Sequence, residues 1–109
     1  MVGSDLASFS ALIISSSAVR ATLLATDPVG YAGCCGAILA MDNRPLLPKI
    51  SCPTLVIVGD RDVSTPWEGH GELLIAGIAG AQLCRLPAAH LANIEVPQEF
   101  TAAVLNFPR

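Results

Sequence analysis

The stretch Thr54–Pro66, TLVIVGDRDVSTP, decides how this chain folds. It opens on a continuous β-branched and apolar run, Thr54–Val58. A run apolar on both alternating faces suits a parallel strand covered on both sides. Pro53 stands just before it, where a missing N–H costs a strand least. The run stops at Gly59, and two aspartates follow almost at once, Asp60 and Asp62. Such a cluster is an ordinary polar turn or a place where a carboxylate does chemistry.

Working outward, Glu68–Ile78 is expected to be a helix with Leu74 and Ile78 on one face, closed by GIAGA at Gly80. Gln82–Leu86 is expected as a second short strand, and PAAHLANIEVP after it as a loop. Pro97 then starts a final helix, with Phe100, Ala103, Val104 and Phe107 at i, i+3, i+4 and i+7. A strand–helix–strand order implies parallel strands joined by a right-handed crossover. Upstream, the proline-broken stretch Asn43–Lys49 marks a boundary, giving a helical segment over 1–45 and an α/β segment over 46–109. Asp27 and Pro28 make an N-cap and first-turn pair. Tyr31, Cys34, Cys35 and Ile38 then share one helical face. Gly30, Gly33 and Gly36 form a bare strip, either for close approach of another segment or simply a poorly optimised helix. The Ser- and Ala-rich stretch 4–26 carries only a weak helical pattern through Leu6, Phe9 and Ile13, and MVGSD reads as a disordered or cloning-derived end.

The 109 residues suffice for one domain. Hydrophobic residues make up 52% and charged residues 14%, whereas average domains carry about 25% charged residues. So apolar a chain is expected to be part of something larger or a subunit with a covered face. The net charge of −3 and the lack of a basic run argue against nucleic acid as a partner. No apolar run approaches the length of a membrane span, and Arg20 follows the early apolar run where a signal peptide needs its basic residues first. The four cysteines make no C-x-x-C pair, so a cytoplasmic chain with reduced, buried thiols is expected. No ligand spacing such as H-E-x-x-H occurs, which predicts no metal, and His70 reads as a surface residue.

In open α/β sheets, ligands gather beyond the carboxyl ends of the strands. Asp60 and Asp62 follow the first strand and His90 follows the second, so adjacent parallel strands would set the two loops side by side. Asp62 and His90 are then the candidate pair. A carboxylate that accepts an imidazole Nδ1–H sets the tautomer and stabilises the imidazolium formed when Nε2 takes a proton. Asp60 is expected to close the turn by accepting backbone N–H groups. Asp62, one step further out, is expected to cross to the next loop.

These stretches resemble a known family. CPTLVIVGDRDVSTP is similar to the strand and acid loop of the α/β-hydrolases, P-T-L-x-I-x-G-x-x-D-x-x-x-P, and LPAAHLANIEVPQEF to their histidine loop. Within that family, DPVGYAGCCGAILAMD together with AAHLANIE resembles the 3-oxoadipate enol-lactonases of aromatic catabolism. The resemblance runs from about Leu23 to Phe107. It implies a partial α/β-hydrolase fold, with cap helices followed by the last strand–helix units of a parallel sheet, and a cap segment around Tyr31–Met41 that helps cover the substrate. It makes Asp62 the triad acid and His90 the base, with a small-molecule lactone as substrate and no metal or organic cofactor. No G-x-S-x-G nucleophile elbow occurs in these 109 residues, nor does the usual H-G oxyanion loop. Ser4 and the serines at 15–17 do not make a strand–turn–helix elbow. The expectation is therefore the C-terminal part of such a hydrolase, which associates with itself or with a missing N-terminal half. Two alternatives are part of another α/β-hydrolase esterase and an inactive product acting only through association.

Overall fold

A computed structural model describes residues 16–108. The positions Leu6, Phe9 and Ile13 lie outside the described residues. The chain divides into two compact units, residues 1–42 and 43–109.

In the first unit, residues 16–25 are helical (α1), and Pro28–Leu39 forms a second helix (α2). Asp27 caps α2 as expected: its Oδ2 accepts the Gly30 N–H at 3.0 Å, and Pro28 fills the first turn. Such a cap is worth about 1 kcal/mol. The face of Tyr31 and Ile38 stays more than half exposed, and no residue of α2 is buried. Gly33 and Gly36 have nothing within 4 Å of a would-be Cβ, so within this unit no described segment uses the bare strip for close approach. The expectation of buried thiols also fails. Cys34, Cys35 and Cys52 are exposed and Cys84 is half-buried, because no described layer of its own unit covers any of the first three.

The second unit is built on two strands, β1 (Leu55–Gly59) and β2 (Gln82–Leu86). They pair in parallel, in register from Leu55 opposite Gln82 to Gly59 opposite Leu86. Alternation sends Val56 and Val58 to one face, where both are buried. Ile57 goes to the other, against a cluster of Leu86, Ala88 and Ala92 that Cys84, Val96 and Phe100 complete. β1 is thus sheltered on two sides. β2 is not, since Leu83 and Arg85 on its other face are exposed.

The connection between the strands departs from the expected helix. Glu68 is extended (ψ 120°) and Gly69 adopts φ +79°, a left-handed conformation that glycine takes without a Cβ penalty. A wide turn therefore covers Trp67–Gly71, and the helix proper (α3) is only Glu72–Gly77. Glu72 Oε1 accepts the Gly69 N–H at 2.7 Å, which secures the late start. Ile78 is buried beyond it. The loop after β2 is also more ordered than expected. It contains a one-turn helix, α4 (Ala92–Glu95), before the Pro97-initiated helix α5 (Pro97–Leu105). Among the described residues no helix is long and apolar enough to cross a membrane.

Gly59 ends β1 where the chain meets the loop after β2. A Cβ built there would lie 2.5 Å from the Ala88 carbonyl oxygen and closer still to that of Ala89. Both obstacles are backbone and cannot rotate away. Gly59→Ala should therefore cost about 1–3 kcal/mol of stability, the usual scale of overpacking, read from urea unfolding. An alanine variant as stable as the parent would contradict this close packing.

Candidate active site

The loops after β1 and β2 are laced together beyond the strands. Asp60 N–H donates to the Leu86 carbonyl and Arg61 N–H to the Ala88 carbonyl, each at 2.9 Å. Asp62 N–H then turns back to the Gly59 carbonyl at 3.1 Å. This sets Asp62 beneath the second loop, and His90 Nδ1 lies 2.9 Å from Asp62 Oδ2. The structure thus brings the two expected residues into contact across 28 positions of chain.

Their settings differ sharply. The Asp62 side chain is 7% exposed and that of His90 is 55% exposed. Asp62 is fully occupied: Oδ1 accepts the N–H groups of Ser64 (2.8 Å) and Thr65 (3.0 Å), and Oδ2 accepts the Thr65 hydroxyl at 3.0 Å besides the imidazole. A carboxylate only accepts, so the Nδ1 of a neutral His90 carries the proton and Nε2 keeps its lone pair. Thr65 Oγ1 also lies 3.3 Å from Nδ1, close enough to share that proton. Among the described residues no hydrogen bond engages Nε2. The arrangement is a buried acid that orients an outward imidazole with a free basic nitrogen. Such a group takes a proton from a nucleophile placed against it.

The division of labour between the aspartates differs from expectation. Asp62, not Asp60, accepts the turn's backbone N–H groups while it also holds the histidine. The Asp60 carboxylate instead reaches Arg85 on β2 at 3.3 Å, and the Arg85 guanidinium lies 5.0 Å above the Trp67 ring. Both partners of that ion pair are about half exposed, so it contributes at most about 1 kcal/mol. His70 is exposed, as expected. Among the described residues no group of three or more His, Cys, Asp or Glu side chains is placed to hold a metal ion.

The sequence reading missed Thr65, Arg61 and Glu95. Arg61 Nη2 donates to Glu95 Oε1 at 2.7 Å and to the Pro87 carbonyl at 3.0 Å. Glu95 Oε2 accepts the Ala89 N–H at 2.8 Å. That N–H, more than the Arg61 guanidinium, holds the Glu95 carboxyl below its ordinary range, against the upward push of partial burial. The placement of Glu95 five residues after His90 was the available hint. Its partners could be named only once α4 was known to fold back.

The imidazole hydrogen bond holds the Asp62 carboxyl far below its ordinary value; burial opposes this, and the bonds from Thr65 and Ser64 add to the lowering. A carboxyl whose pKa is lower folded than unfolded stabilises the fold above its unfolded value, and that contribution drains away as pH falls toward the folded one. The stability advantage of the parent over Asp62→Asn should therefore hold at neutral pH and shrink as pH drops below 3.8, the unfolded value. Urea midpoints of the two proteins across that range test it, and a gap independent of pH would contradict it.

No family model matches the chain. It is 44% identical over 75 residues to 3-oxoadipate enol-lactonase 2 of Acinetobacter baylyi, covering 69% of this chain and 28% of that protein. Among solved structures, the enol-lactonase from Burkholderia xenovorans LB400 superposes with a TM-score of 0.79 at 41% identity, covering 84% of this chain and 35% of the other. A hydrolase from Pseudomonas aeruginosa superposes with a TM-score of 0.75 at 51% identity, covering 81% of this chain and 33% of the other. The chain spans about a third of the length of these relatives. Its fold is a partial α/β-hydrolase fold, and over that part the chain is similar to the 3-oxoadipate enol-lactonases.

Proposed function

We propose that this chain supplies the acid and the base of a serine-type hydrolase that opens an enol-lactone. The observation that carries the reading is the 2.9 Å contact of His90 Nδ1 with a buried Asp62, at the loop ends of adjacent parallel strands. The enol-lactonase names of the relatives support the substrate class. His90 Nε2 accepts the proton of a serine hydroxyl as its oxygen attacks the lactone carbonyl. The ring C–O bond then breaks, and the imidazolium returns the proton to the departing enol oxygen. Water, deprotonated in turn by His90, cleaves the acyl-serine and frees the acid, and the enol tautomerises to the ketone. Asp62 holds the imidazole and offsets its charge at each transfer. The serine comes from outside these 109 residues, which contain no G-x-S-x-G, and the setting is cytoplasmic.

Association has its own support. Leu83, Leu91, Val104 and Leu105 of the sheet unit are all more than a third exposed. An uncovered apolar surface of this kind fits a further segment of polypeptide that carries the nucleophile.

The test mixes the purified chain with a polypeptide carrying the part of the Burkholderia xenovorans enol-lactonase that this chain does not cover. Neither piece alone should turn over the enol-lactone above background, and the pair should. In the pair, Asp62→Asn should lower kcat about 10⁴-fold, and His90→Ala should abolish turnover, by about 10⁶-fold. Turnover by the isolated chain, or turnover by the pair that survives His90→Ala, would overturn the proposal. So would a pair that forms a stable complex without activity.

A further inference from the structure

We propose that Glu95 is a positioning residue for His90: its carboxylate grips the backbone just before the histidine and sets the imidazole toward Asp62. The functional meaning of this rests on the reading of His90 as the base. The geometry does not.

Glu95 closes α4, and its side chain is 18% exposed. Both carboxylate oxygens are spent on the two loops that carry the site. Oε2 receives the Ala89 N–H at 2.8 Å, one residue before His90. Oε1 receives Arg61 at 2.7 Å, one residue before Asp62. The same Arg61 nitrogen donates to the Pro87 carbonyl at 3.0 Å, and the Arg61 N–H donates to the Ala88 carbonyl at 2.9 Å. Pro87, Ala88 and Ala89 are therefore each tied by a backbone group to Arg61 or Glu95. His90 is the next residue, and more than half of its own side chain is exposed.

An exposed histidine on an otherwise free loop would sample many orientations. A displacement of about 1 Å stretches a 2.9 Å contact beyond hydrogen-bond range. Asp62 cannot prevent this alone, because its carboxylate accepts whatever donor the loop presents. The Ala89 N–H belongs to the Ala88–Ala89 peptide, one plane before the peptide that carries His90. Its charge-assisted bond to Glu95 fixes that plane and so limits the directions from which the chain can enter His90. The Arg61–Glu95 ion pair alone would be a weak surface bridge, since Arg61 is 63% exposed. Its use here is to orient the carboxylate that holds the loop.

The test is nitrogen-15 NMR of the histidine ring in the full 109-residue chain, near about pH 8.5, where an ordinary imidazole is neutral. The parent should show His90 in the Nδ1–H tautomer. Asp62→Asn, as the reference, should lose it. Glu95→Ala should shift His90 to the Nε2–H form that an unconstrained imidazole prefers. Glu95→Asp is too short to span Ala89 and Arg61 together and should lose most of the Nδ1–H form. Glu95→Gln keeps an oxygen for the Ala89 N–H and should retain most of it. If Glu95→Ala does not fold, the aspartate and glutamine variants decide between them. A folded Glu95→Ala or Glu95→Asp chain that keeps the parent's tautomer would overturn the proposal, showing that Glu95 only adds stability. A parent without the Nδ1–H form would overturn it too. No turnover is read, so the positioning role stands or falls separately from the hydrolase reading.

Discussion

The contact on which the rest of the site depends is the approach of two backbones at Gly59. Parallel pairing of β1 and β2 delivers both strand ends to one edge. Two hydrogen bonds then extend the pairing past the sheet, from Asp60 to Leu86 and from Arg61 to Ala88. Only a residue without a Cβ lets the carbonyls of Ala88 and Ala89 come so close. With the loops in van der Waals contact, a short side chain such as aspartate can reach across. A strand end even one side chain wider would leave Asp62 and His90 with water between them.

Beyond that contact, three consecutive residues are sent to three partners. Asp60 turns to Arg85, Arg61 to Glu95, and Asp62 to His90. Exposure ranks their importance. The Asp60 pair lies in solvent and is screened by it. Arg61 is exposed but joins a sheltered carboxylate. Asp62 is buried and meets every acceptor site with a donor, which is why its ionised form is strongly favoured. A buried acid with satisfied bonds beside an exposed imidazole is an asymmetric pair. In such a pair the outer nitrogen is the one open to proton exchange, while the inner carboxylate is held in its charged form.

Much of this was legible along the chain. The both-faced apolar run predicted a sheltered parallel strand, and its carboxyl-end aspartates were expected at a site. Asp27 and Pro28 predicted a helix start that the structure shows. Other features were not legible, for physical reasons. The helix expected from Glu68 begins at Glu72 because Gly69 takes a left-handed conformation that its neighbours do not dictate. The turn of α4 has too few residues for a periodic pattern. The cysteines look like core residues by type, yet type cannot say whether a covering layer is present.

The sequence by itself determined the order of the two strands and of the helices other than α4, the parallel relation of the strands, and the identity of one carboxylate and one imidazole placed at their ends. These follow from periodicity, from turn chemistry and from the handedness of strand crossovers, all of which act locally or along one connection. Only the tertiary structure decided that the aspartate facing the histidine also closes the turn, that Asp60 goes to Arg85 instead, and that Thr65, Arg61 and Glu95 join the site. Those choices depend on angstrom-scale approach between segments distant in the chain. Hydrogen bonds are lost over a fraction of that scale, and no pattern of residue types encodes it.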